Sequence, residues 1–92
     1  MIVRVFSDGQ YRIPEDAQAR LHELDLATVK AIDADDAEGF SSNYGALIEL
    51  IHSRGERLAD EDLVPSDLML PPADISLEEA RTEFTGEGLL PD

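Results

Sequence analysis

The sequence predicts an α+β fold: an N-terminal β-hairpin packed on two or three helices, followed by a short C-terminal helix. Three observations point there. β-Branched and aromatic residues fall in two brief runs before residue 14, apolar residues recur at helical spacing between residues 15 and 54, and most of the prolines gather in an apolar stretch beyond them.

Ile2-Val3-Arg4-Val5-Phe6 and Gln10-Tyr11-Arg12-Ile13 flank Ser7-Asp8-Gly9. Two such runs around an Asp-Gly pair read as a hairpin whose turn places positive φ angles at Asp8 and Gly9. Pro14 ends the second strand. Pro14-Glu15-Asp16 then opens a helix, proline being suited to a first turn and carboxylates to the positive end of the helix dipole. This helix runs toward Asp35. Its apolar stripe begins as Ala17, Leu21 and Leu24 but moves to Leu26, Val29 and Ile32, a different face at 100° per residue. The helix is therefore either buried on two sides or broken near Asp25.

After the acidic stretch Asp33-Ala34-Asp35-Asp36-Ala37-Glu38, a second helix aligns Phe40, Tyr44, Leu47, Ile48 and Ile51 on one side. Asp35 or Asp36 can cap its start, His52 and Arg54 suit its negative end, and Gly55 fits a left-handed C′ position. From Glu56 to Asp62 the chain is polar, and Leu63 to Pro72 is apolar with three of the five prolines. We expect an extended segment over the helices there. Leu68-Met69-Leu70 offers a third strand beside the hairpin, confined to an edge by its flanking prolines. Ser76-Leu77-Glu78-Glu79 fits a capping box that opens a helix through about Phe84, stopped by Gly86 and Gly88. The final Leu89-Leu90-Pro91-Asp92 is apolar for a terminus, so it docks on the body or meets a partner.

Ninety-two residues suffice for one core, so a single domain spanning 1–92 is expected. A formal charge of -14 repels phosphate backbones and anionic lipid, which argues against direct nucleic-acid binding and direct membrane insertion. An acidic decoy that imitates DNA for a basic protein is the alternative meaning of that charge. With no cysteine, disulfides, thiolate metal sites and a cysteine nucleophile are excluded. The first residues are too short for a secretory apolar region, and no run approaches the roughly 20 apolar residues of a membrane span, so a cytoplasmic location is expected.

His22 and His52 lie thirty residues apart without a metal-type neighbour at helical spacing, and Asp33-x-Asp35-Asp36-x-Glu38 lacks the register and glycine of a calcium loop. No G-x-S-x-G elbow, Walker loop or dinucleotide fingerprint occurs. The expectation is a protein with no catalytic residue, no metal and no cofactor, which acts by binding another protein.

The chain resembles the PspAA family, small domains associated with the phage-shock protein PspA. The resemblance rests on Met1-Ile2-Val3-Arg4 with Gly9-Gln10-Tyr11, on the helix ending at Gly55, on Leu63-Val64-Pro65-Ser66-Asp67-Leu68-Met69-Leu70-Pro71-Pro72, and on Leu77-Glu78-Glu79-Ala80 with Gly88-Leu89-Leu90-Pro91. One departure is the missing glycine at Ala34-Asp35-Asp36. The resemblance implies an accessory protein of the envelope-stress response acting with PspA, a coiled-coil protein at the inner face of the membrane. Membrane contact would then be indirect, through the partner. A self-assembling homodimer remains a second reading.

Two segments are candidate partner-binding surfaces. Val64, Pro65, Ser66, Asp67, Leu68, Met69, Leu70, Pro71 and Pro72 combine stiff backbone with apolar anchors, although covering the domain's own helices is the stronger reading of the same residues, because a chain this short needs its large apolar side chains for its core. Gly9, Gln10 and Tyr11 form a hairpin edge able to accept a strand, with Tyr11 equally suited to the core. The capping box yields the first testable outcome: Ser76→Ala should cost about 1 kcal/mol in thermal melts and leave the hairpin unaltered.

Overall fold

The computed structural model describes residues 1–59 and 64–83. Its elements are β1 (Ile2–Val5), β2 (Gly9–Arg12), α1 (Glu15–Asp33), α2 (Ala37–Arg54), β3 (Glu56–Arg57), β4 (Leu68–Leu70) and α3 (Leu77–Glu83). The fold is α+β, a four-stranded sheet in the order β3-β2-β1-β4 with the helices supplying the second layer. β1 and β2 form the expected antiparallel hairpin, with Val5 opposite Gly9. The loop is therefore Phe6-Ser7-Asp8, and the positive φ falls on Ser7 (68°), one position earlier than the Asp-Gly signal implied. Asp8 N–H closes the turn on the Val5 carbonyl at 3.0 Å.

Leu68–Leu70 does form a strand, parallel to β1 with Val3 opposite Leu68 and Val5 opposite Leu70. It lies at a sheet edge, as its flanking prolines require. The other edge is taken by β3, which pairs Tyr11 with Arg57 and Arg12 with Glu56. Leu58 N–H adds a bond to the Gln10 carbonyl at 2.9 Å. The edge expected at Gly9, Gln10 and Tyr11 is thus an interior strand. Two residues are too few to show a period, which is why β3 has no signature in the sequence.

α1 runs unbroken to Asp33. Its buried stripe is Ala17, Leu21, Leu24, Asp25, Thr28, Val29, Ala31 and Ile32, while Leu26 faces solvent. The buried polar residues Asp25 and Thr28 bridge the two apolar groups, so the helix has one continuous stripe and no shift of face near Asp25. Thr28 Oγ1 satisfies itself by donating to the Leu24 carbonyl at 2.7 Å. α2 buries the five expected residues, Phe40, Tyr44, Leu47, Ile48 and Ile51. Arg54 pairs with Asp16 at 2.8 Å, tying the end of α2 to the start of α1.

The link between the helices is a Schellman turn built without glycine. Asp36 N–H donates to the Ala31 carbonyl at 2.9 Å and Asp35 N–H to that of Ile32 at 3.1 Å. Asp35 adopts φ 56°, a conformation aspartate tolerates better than most side chains. Asp36 then caps α2 by accepting from Gly39 N–H at 2.9 Å. α3 begins with the expected capping box: Ser76 Oγ accepts from Glu79 N–H at 3.2 Å, and Glu79 Oε1 accepts from Ser76 N–H at 3.3 Å. Ala80 is fully buried where α3 meets the body. Phe84, Gly86, Gly88 and Leu89 to Asp92 lie outside the described residues, as does Leu63.

Gly55 ends α2 with φ -77° and ψ 149°, extended and not left-handed. The chain turns straight into β3, and glycine is needed there for space. A Cβ would collide with the Ile51 carbonyl oxygen and lie 3.1 Å from both Ile13 Cδ1 and Tyr11 Cβ. Gly55→Ala should therefore destabilise by about 1–3 kcal/mol in urea unfolding, the usual cost of overpacking; an unchanged midpoint would refute the steric argument.

Candidate partner-binding site

The segment from Val64 to Pro72 is fastened to the body along its length. Gln10 lies opposite Arg4 on the sheet face away from Val3 and Tyr11, and its Nε2 donates to the Val64 carbonyl at 2.9 Å and to Ser66 Oγ at 2.8 Å. Asp67 grips β1 twice. Its Oδ2 accepts from Ile2 N–H at 2.8 Å, and its own N–H donates to the Ile2 carbonyl at 2.8 Å. Leu68 and Leu70 are buried in the core, so their role as cover for the domain's own interior is realised. Met69, between them, points outward and is 50% exposed. Val64 and Pro65 are exposed, and Pro71 is buried with its carbonyl accepting from Tyr44 Oη. Of the other three residues singled out, Gln10 and Tyr11 are buried, and Gly9 faces the Arg57 guanidinium.

Beyond β4 the chain bends away and leaves an open groove of about 740 Å³. Phe6, Pro71, Pro72 and Ile75 supply its apolar lining, and Asp74, Glu78 and Glu79 its acidic rim. Phe6 comes from the hairpin loop and is held there because its N–H extends the β1–β4 ladder to the Leu70 carbonyl at 3.0 Å. Its ring is 46% exposed. Only Pro71 and Pro72 of the sequence candidates reach this groove. Phe6, Asp74, Ile75 and Glu78 were missed, since their convergence depends on β4 pairing with β1 and no local spacing reports that.

A second constellation joins distant residues around Asp8. Its Oδ1 accepts from Tyr11 Oη at 2.8 Å and from Arg57 Nη1 at 3.2 Å, and its Oδ2 from His52 Nε2 at 2.5 Å. Arg57 also donates to the Asp8 carbonyl at 2.9 Å and lies 5.8 Å from the centre of the Tyr11 ring. These contacts clasp the β1–β2 turn to the end of α2 and to β3.

The PspAA family model, described as PspA-Associated protein, matches residues 1–92. The chain belongs to the PspAA family. No curated protein and no solved structure gives a significant match. Within this PspAA chain the Pro-Ser-Asp-Leu-Met-Leu-Pro-Pro stretch is the edge strand with its two fastenings, Ser66–Asp67 before it and Pro71 after it. Among the described residues, no helix is long and apolar enough to cross a membrane.

The electrostatics of the Asp8 cluster suit a clasp. The hydrogen bond from His52 holds the Asp8 carboxyl below its ordinary value, with Tyr11 and the Arg57 charge assisting against partial desolvation. Burial, and then the adjoining Asp8 carboxylate, push the Tyr11 phenol up. At neutral pH Asp8 is thus an acceptor and Tyr11 a donor, each in the form its partners favour. Because Asp8 has a depressed folded-state pKa, its contribution is complete above the unfolded value of about 3.8 and disappears as pH falls through the lower folded value. Asp8→Asn should cost about 1–2 kcal/mol near neutral pH. In parallel urea titrations the gap between variant and wild type should close in acid below the unfolded carboxylate value; a gap independent of pH would exclude the charge as its source.

Proposed function

We propose that the chain is a non-catalytic binding module that acts with a PspA-type envelope-stress protein. The observation carrying this reading is the family match along the whole chain, to proteins defined by association with PspA. The geometry supports it in two ways. The stretch from Pro65 to Pro72 is immobilised by Gln10, Asp67 and Tyr44, so little order remains to be imposed when it meets another surface. The Asp8, Tyr11, His52 and Arg57 side chains satisfy one another and line neither the groove nor its rim. On this reading the protein is cytoplasmic and reaches the inner face of the membrane through its partner, since a net charge of -14 opposes direct contact with anionic lipid.

A second reading, a homodimer formed by strand addition, is favoured by one feature: β4 is an edge strand with Met69 exposed. Size-exclusion chromatography with light scattering separates the two. Mixing with a purified PspA-type protein should give a co-eluting complex, with the chain alone running as a monomer. A salt-resistant dimer that ignores the PspA-type protein would favour the second reading, and selective recovery of basic DNA-binding proteins from lysate would favour a DNA-mimicking decoy.

A further inference from the structure

We propose that the groove formed by Phe6, Pro71, Pro72 and Ile75 receives a basic amphipathic segment of the partner, an apolar side chain entering the floor while lysine or arginine faces Asp74 and Glu78. This deepens the functional reading above and rests on it for the partner's identity.

Three observations carry the assignment. The floor is apolar and already ordered. Phe6 is held through its N–H to Leu70, Pro71 through its carbonyl to Tyr44, and proline φ angles are fixed, so docking costs little entropy. A volume of about 740 Å³ accommodates several side chains, and Phe6 keeps nearly half of its surface exposed at the mouth. The rim then sets the sign of the occupant. Arg20, Arg54, Arg57 and Arg81 are paired with Glu23, Asp16, Asp8 and Asp35. Among the described residues Asp74 and Glu78 make no such pair, and Glu79 is engaged in the capping box. Unpaired carboxylates beside an apolar floor attract a cation next to an apolar residue.

Charge also disfavours the other occupants. Residues 84–92 carry Glu87 and Asp92 and no lysine or arginine, so this segment has the wrong sign for the rim. A second copy opposes -14 with -14.

The test uses the full chain and a purified PspA-type protein by calorimetry. Phe6→Ala should weaken binding about tenfold or more, as loss of an aromatic anchor does. Asp74→Asn with Glu78→Gln should weaken it several-fold at low salt and flatten its salt dependence, since rim charges act mainly through steering. Thermal melts confirm folding of each variant, and Phe6 and Glu78 are exposed enough to be replaced without loss of core. Wild-type binding that survives all of these changes overturns the groove while leaving the partner intact. If wild type does not bind the PspA-type protein at all, the functional reading fails, and a helical leucine/lysine peptide then decides the groove by amide chemical shifts. Shifts concentrated at Phe6, Ile75 and Glu78 sustain the proposal; shifts spread evenly over the acidic surface overturn it. Contacts from Phe6 to Leu89 or Leu90 in the free protein, or a dimer lost on Phe6→Ala, would give the groove to the chain itself and also overturn it.

Discussion

The parallel pairing of β4 with β1 is the constraint on which the other features depend. It joins residues 65 positions apart, Ile2 and Asp67, through reciprocal bonds to one backbone, and closing so long a loop is entropically costly. The pairing therefore needs several fastenings. Leu68 and Leu70 bury their side chains beside Val3 and Val5, Asp67 fixes the register at one end, and the Tyr44–Pro71 bond fixes the other. A slip of one residue would put Met69 into the core and Leu68 and Leu70 into solvent. The same register brings Pro71 and Pro72 alongside Phe6, so the groove exists because the strand is where it is.

Charge distribution explains why these fastenings matter. With 21 acidic and 7 basic residues, the folded chain repels itself, and compactness must come from the core. The exposed pairs Arg20–Glu23, Arg54–Asp16 and Arg81–Asp35 contribute at most about 1 kcal/mol each. Asp8 differs because three donors converge on a carboxylate that is only 24% exposed. It joins the hairpin turn, the end of α2 and β3, and the buried Tyr11 ring lies against the same three places.

What could be read from the sequence follows from how local each signal is. The α2 stripe and the capping box at Ser76 are set by side chains within a few residues, and they appear as expected, whereas Leu68–Leu70, which the sequence offered only as an optional strand, takes its place through pairing with distant β1. The turn and cap details were displaced where tertiary contacts decide them. Ser7 takes the positive φ as the third residue of the turn that Asp8 N–H closes on the Val5 carbonyl, and Gly55 is required by the closeness of Ile13 and Tyr11 and not by a left-handed angle. The α1 stripe looked broken because burial of Asp25 and Thr28 cannot be inferred from residue type. Of the candidate site, the proline stretch was legible by composition, whereas Phe6, Ile75 and the rim carboxylates depend on the long-range pairing.

The groove and the closing strand share residues, and this links binding to folding. Pro71 belongs to the groove lining and also holds Tyr44, while Phe6 lines the groove and extends the β1–β4 ladder. An occupant that contacts Phe6 and Pro71 requires both elements in their folded positions. By linkage its binding free energy stabilises the β4 pairing, and any change that loosens β4 weakens binding without touching the groove. Met69 provides the control for this coupling. It lies on the same strand but faces away from the core, so replacing it alters the outer surface while leaving Leu68, Leu70 and the strand's position unchanged.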